Sequence, residues 1–140
     1  SSQEEVGVRG AGASAFSFEP YIAIAVDVTV TGVLPERKTP MAVDMGKGPA
    51  VKVMDRSVIC TPAVCAALEQ AGADCGVATQ REILQFGGTD TAALQKARAG
   101  VQAGAISIPT RYIHSPSEMC AVSDVEGAAK LLARFAVGQN

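Results

Sequence analysis

Tryptophan is absent from the 140 residues, and aromatic side chains make up only 4% of them. A core without large rings must be filled by aliphatic groups, and the hydrophobic fraction of 48% rests largely on Ala and Val. That composition suits close packing of helices on a sheet. An excess of positive charge is also missing, because 12 basic and 14 acidic residues leave a net charge of -2. The concentrated positive footprint that a phosphate backbone demands is therefore not present, which argues against nucleic acid as a partner. No CxxC pair occurs, and Cys60, Cys65, Cys75 and Cys120 stand at irregular spacings beside a single histidine, so no zinc finger is encoded. Three of the four cysteines lie in Ala-rich context, where a free thiol behaves as a small hydrophobe, and a reduced, cytoplasmic protein is expected. No apolar run reaches the roughly 18 residues needed to cross a bilayer. The chain start lacks the charged-then-apolar order of a signal peptide, so neither a membrane nor export is expected.

What is present reads as one domain, long enough to bury roughly two-thirds of the surface its unfolded chain exposes. Residues 21–30, YIAIAVDVTV, form a β-branched run that is apolar at both alternating positions, as in a strand covered on each face. Residues 31–48 are rich in Pro, Gly and charge and predict a long surface loop. A short strand follows over 50–54. Thr61 and Pro62 supply an N-cap and a first-turn proline for a helix over 62–73. Residues 76–80 predict a strand, Gly87 and Gly88 a turn, 91–99 a helix, and 104–108 a strand stopped by Pro109. Ser123 and Glu126 have the spacing of a capping box ahead of an amphipathic closing helix over GAAKLLARFAV. Alternation of strands with helices gives an α/β class, a mainly parallel or mixed sheet with helices on both faces, whose functional groups gather at strand ends. The chain opens on SSQEEVGVRGAG with neither an initiating Met nor a preceding strand, so a start inside a longer protein is expected.

Glu4 and Glu5 are adjacent carboxylates, and neighbours on a helix or strand point different ways. One can hold a metal while the other faces a water, the division of labour a metallohydrolase requires. For a bare dipeptide, a solvated terminal charge pair is much the commoner arrangement. Asp27 is more conspicuous, since a carboxylate inside a β-branched strand costs several kcal/mol unless it is paired. Its partner is either a cation or a set of loop amides or an Arg, with Thr29 and Thr31 available to assist. His114, the single histidine, sits in IPTRYIHSPSE just after a strand, where ligand and structural roles are both open. Arg111 can clamp a substrate carboxylate or carbonyl, or form a plain salt bridge. Gly88 and Asp90 belong to a GGTD segment that brings backbone amides near a helix start, which is also what an ordinary capped turn does.

Taken in order, QEEVGVRGA at 3–11, AVDVT at 25–29, GKGPAVKVMD at 46–55, FGGTDTAA at 86–93 and IPTRYIHSPSE at 108–118 resemble one family. It is the cytosolic deblocking or glutamyl metallo-aminopeptidases, which include the self-compartmentalising tetrahedral aminopeptidases and are sometimes labelled cellulase M or endoglucanase. The resemblance covers nearly the whole chain. It implies a zinc-exopeptidase-like three-layer sandwich, of which these residues are the C-terminal part of the catalytic domain. The N-terminal catalytic part and an inserted dimerisation domain are expected to lie elsewhere. It further implies that Glu4 is the general base, that Glu5 and His114 ligate one divalent ion and that Asp27 ligates another. The two ions, zinc or alternatively cobalt, would sit about 3.5 to 4 Å apart. An earlier His and a bridging Asp would complete the set from sequence before the QEE motif, leaving the 140 residues alone inactive. The substrates implied are peptides, cleaved at the N-terminal residue, and the whole family members are homo-oligomers.

Two other readings stay beside that one. A glycosidase, as the endoglucanase label suggests, needs two carboxyl groups facing each other across a sugar, roughly 5 to 9.5 Å apart, which adjacent glutamates do not naturally provide. A folded but non-catalytic piece is the other.

Overall fold

The computed structural model describes residues 1–31 and 41–138. Strands β1 (Ile22–Val30), β2 (Ala50–Met54), β3 (Gln80–Ile83), β4 (Gln102–Arg111) and β5 (Met119–Cys120) form one sheet in the order β1-β4-β2-β3, with β5 beside the end of β4. β1 runs parallel to β4 and β2 parallel to β3, while β2 meets β4 antiparallel, so the sheet is mixed. Helices α2 (Pro62–Asp74) and α4 (Val122–Val137) pack together over β2 and β4. Helices α1 (Arg9–Phe18) and α3 (Thr91–Gln95) also pack on each other, and α3 lies against β1 and β4.

The side under α2 and α4 is the apolar one. Val51 and Ile106, neighbours across β2 and β4, meet Val64, Leu68, Leu131 and Phe135 of the two helices. Leu68 and Leu131 have no exposed surface, and each such leucine contributes about 1.5–3 kcal/mol of transfer free energy. The residues one position along the strands point to the other face, as the period of two requires. There stand Thr29, Lys52, Glu82 and Ser107, all buried and all polar.

Several local expectations shift. β1 is present, but Val26 and Val28 are 48% and 36% exposed, so its carboxyl-end half is not covered on each face. β4 runs through Pro109 to Arg111. Proline is tolerated in a strand where the ladder makes no demand on its nitrogen, and Pro109 falls between the β2 partners, Ile106 and Ser107, and the β5 partners, Thr110 and Arg111. β3 begins only at Gln80, because Val77 N–H still closes the end of α2 on Gly72 O at 2.9 Å. α3 is shorter than predicted and is followed by Arg98 in left-handed backbone, φ 52°. The Gly-rich start hides a helix the sequence did not announce, α1. Arg98 secures its end, with Nε donating to Phe16 O at 2.8 Å and the guanidinium 3.9 Å over the Phe16 ring.

The capping expectations hold in position for α2 and fail for α4. Thr61 does occupy the N-cap of α2, but its Oγ1 accepts from Ala103 N–H of β4 at 3.1 Å instead of from the helix. α4 starts two residues early, with Ala121 as its N-cap, which puts Ser123 and Glu126 inside the helix without a box. The acid that matters there is Asp124, fully buried, whose two oxygens accept from Gly46 N–H at 2.7 Å and Gly48 N–H at 2.9 Å. Of the predicted loop over 31–48, residues 32–40 lie outside the described residues, and 41–48 are irregular.

Candidate active site

Two adjoining clefts open beside the carboxyl ends of β1 and β4, with volumes of about 600 and 380 Å³, and Glu4, Glu5, Gly88 and His114 line both. The smaller one also takes in Asp27, Thr29, Phe86 and Glu118. The parallel pairing of β1 with β4 creates this arrangement. It aligns Asp27 with Ser107 and sends both chains out at one edge, where β4 continues into the turn carrying His114.

Glu5 and His114 are separated by 109 positions in sequence, yet Oε1 and Nε2 lie 3.2 Å apart. Both side chains are 73% exposed. Each is presented by irregular backbone. His114 has φ 62° and Tyr112 φ 60°, and on the other side Gln3 and Val8 are left-handed as well. Such conformations persist where surrounding contacts hold them. For His114 that contact is Glu118, whose Oε1 accepts the His114 backbone N–H at 2.7 Å. Gly88 closes the opposite wall. A Cβ there would stand 2.6 Å from Ser57 Oγ, so only glycine lets this loop approach.

The site is acidic by construction. Burial raises the Glu4 carboxyl above its ordinary value, Asp27, Glu5 and Asp90 push it further, and His114 opposes them. Burial likewise raises Asp27, which accepts Val28 N–H on Oδ1 at 2.7 Å and feels Lys52 as the counteracting positive charge. Of the partners foreseen for Asp27, the structure therefore shows an amide, that of its own neighbour. Asp90 approaches from the edge, with Oδ2 accepting Ser1 Oγ at 2.5 Å and Oδ1 buried without a partner among the described residues. Arg111 lines neither cleft; it pairs with Met119 on β5. Thr29 turns away to Glu82, and Thr31 Oγ1 is buried without a hydrogen bond among the described residues.

A cation is the natural occupant of converging carboxylates, and one imidazole nitrogen with carboxylate oxygens is a donor set that zinc and similar divalent ions accept. Glu5 and His114 fit one side of such a site. Among the described residues no group of three or more His, Cys, Asp or Glu side chains converges tightly enough to hold an ion unaided.

The sequence did not reveal what lies beneath the clefts. Lys52, with no exposed surface, stands 3.2 Å from both Asp55 Oδ2 and Glu82 Oε1. Glu82 is held by Thr29 Oγ1 and Ser107 Oγ, each at 2.5 Å. Asp55 accepts from Ser57 N–H, Ser57 Oγ and Val58 N–H through Oδ1, which fixes the Ser57 wall against Gly88. The only sequence signal was a Lys and a Glu at alternate positions of two short strands, a pattern that usually means solvent.

Fold and cleft together define a class: an α/β domain with a mixed sheet between helices and an acidic cleft at strand ends. The chain belongs to the M42 glutamyl aminopeptidase family, whose model matches residues 1–131. A curated protein of Acetivibrio thermocellus is 53% identical over 130 residues, which are 93% of this chain and 39% of that protein. Among solved structures, an aminopeptidase of the archaeon Desulfurococcus kamchatkensis superposes with a TM-score of 0.90 at 36% identity, covering 99% of this chain and 39% of that one. The TET1 peptidase of Pyrococcus horikoshii, described as assembling into a tetrahedron or a large octahedral shell, gives 0.80 at 30% identity, with 94% of this chain and 38% of that one covered. The chain thus spans about two-fifths of the length of these relatives. Divalent metal ions are implied by the family in general. Among the described residues, no helix is long and apolar enough to cross a membrane.

Proposed function

We propose that these residues are the C-terminal part of the catalytic domain of a longer, cytoplasmic, two-metal aminopeptidase that removes the N-terminal residue of peptides. The observation that carries this is the contact of Glu5 with His114 at the mouth of a cleft that Glu4 and Asp27 also line. Glu5 and His114 hold one divalent ion, Asp27 holds the other, and zinc suits the mixed nitrogen and oxygen donors better than magnesium or calcium. When bound, the pair supplies Lewis-acid polarisation of the scissile carbonyl and a water of lowered pKa.

Glu4 stands next to Glu5, with no side-chain hydrogen bond among the described residues, and its raised proton affinity suits a base that takes a proton from the attacking water and returns it to the leaving amine. Gly88 lines both clefts along the path of a peptide substrate, and Asp90 adds negative charge toward a free α-amine. Arg111 pairs with Met119 on β5 and lines neither cleft, and it is retained as a clamp for a substrate carboxylate or carbonyl. The bridging ligand, a further His and an inserted dimerisation domain fall in the three-fifths of the relatives' length not matched here, and the whole protein is a homo-oligomer. Alone, the 140 residues are inactive.

In the full-length protein, an aminoacyl-anilide is turned over, a chelator abolishes the turnover and zinc restores it. Glu4→Gln lowers kcat by about 10²–10⁴-fold, the usual worth of a positioned base, while metal content is kept. Release of sugar from cellulose, or full activity in Glu4→Gln, overturns the reading.

A further inference from the structure

Behind the site, Cys60 stands just before the N-cap of α2 and Cys65 in its first turns. Cys60 is 2% exposed and packs on Val58 and on Ala92 of α3, and Cys65 bridges that cluster to the main core. The thiols form a short chain of donors, Cys60 to Cys65 and Cys65 Sγ to Lys52 O at 3.3 Å. The other two cysteines are free as well but do not share this arrangement: Cys75 Sγ bonds Gly72 O at 3.5 Å, and Cys120 is exposed on β5.

We propose that Cys60 and Cys65 are a modification site, a vicinal dithiol that closes to a disulfide on reaction with a peroxide. Cys65 is the partly exposed member, in the first turns of α2, and attacks first. Its sulfur bonds to one peroxide oxygen as the O–O bond breaks and hydroxide leaves, giving a sulfenic acid. Cys60 sulfur then displaces the hydroxyl; the S–S bond forms, and the Cys60 proton departs with it as water. Two thiols lose two electrons and one peroxide becomes two waters. The hydrogen bond from Cys60 brings the Cys65 thiol down to about 7 against the pull of burial, with Arg81 favouring and Glu69 opposing the thiolate. The same bond, then burial, pushes Cys60 up, with Lys52 opposing and Asp55 adding to the rise, which assigns it as the resolving partner.

The test uses the full-length protein and hydrogen peroxide, read by differential alkylation. Trypsin cuts after Arg56 and Arg81, so one peptide reports Cys60, Cys65 and Cys75 together. Before oxidation, Cys65 alkylates at pH 7 faster than the buried Cys60. After oxidation, Cys60 and Cys65 are protected in step, Cys75 remains reactive, and a thiol reductant restores both. In Cys60→Ser, with Cys60→Ala as a second variant, Cys65 stops at the sulfenic acid and is captured by dimedone. Cys65 that still alkylates after peroxide, pairs with Cys75, or is lost without Cys60 overturns the proposal.

Discussion

Lys52 carries no exposed surface and is matched by two equally buried carboxylates, Asp55 and Glu82. The balance is one positive charge against two negative ones, completed by hydroxyls and amides, so removing the cation strands both acids. Lys52→Met is expected to cost about 3–5 kcal/mol in urea unfolding, the usual result of breaking a buried pair from one side. Replacing Lys52, Asp55 and Glu82 together by apolar groups is expected to recover much of that loss. Asp124 is a second case, since Asp124→Ala leaves the amides of Gly46 and Gly48 without an acceptor. A loss of about 1–3 kcal/mol is expected in the same measurement. At this scale the sequence singled out Asp27 but not Lys52. A carboxylate inside an apolar run violates a pattern, whereas a lysine in AVKVM satisfies the alternation of a half-solvated strand.

Among the elements, α2 lies close on β4 because Gly104 has no side chain. A Cβ there would meet Val64 Cγ1 at 2.7 Å and Leu68 Cδ1 at 3.4 Å, and a branched side chain in a helix cannot step aside. Gly104→Ala is expected to push α2 off the sheet and lower stability by about 1–3 kcal/mol, read as a lower Tm with unchanged fold. Strand and helix identities were legible where one periodicity ran unbroken, as in β1, β2, α2 and α4. They failed where tertiary contacts outvoted local signals. β4 continues past Pro109 because partners on either side change there, and α1 forms in a Gly-rich stretch because α3 and Arg98 receive it. The capping spacing of Ser123 and Glu126 misled for a similar reason, since Asp124 was needed by the segment before β2.

For the whole molecule, the sheet divides into a dry apolar side under α2 and α4 and a polar side from which the site emerges. That division leaves the proposed metal donors on one rim, two from the Glu5–His114 pair and one from β1. The 140-residue polypeptide alone is therefore expected to bind fewer than two zinc ions tightly in a calorimetric titration, since a structural zinc site is ordinarily four-coordinate. Two tight ions per chain would contradict the shared-ligand arrangement. The sequence by itself determined the α/β class and the ordered motifs, because periodicity and spacing are local and survive without coordinates; the resemblance those motifs carry is what proposed Glu4, Glu5, Asp27 and His114 as the site. Only the tertiary structure decided which of them meet. It set Glu5 on His114 across 109 positions, left Arg111 outside and buried Lys52 beneath, because strand order and register are fixed by packing between distant segments.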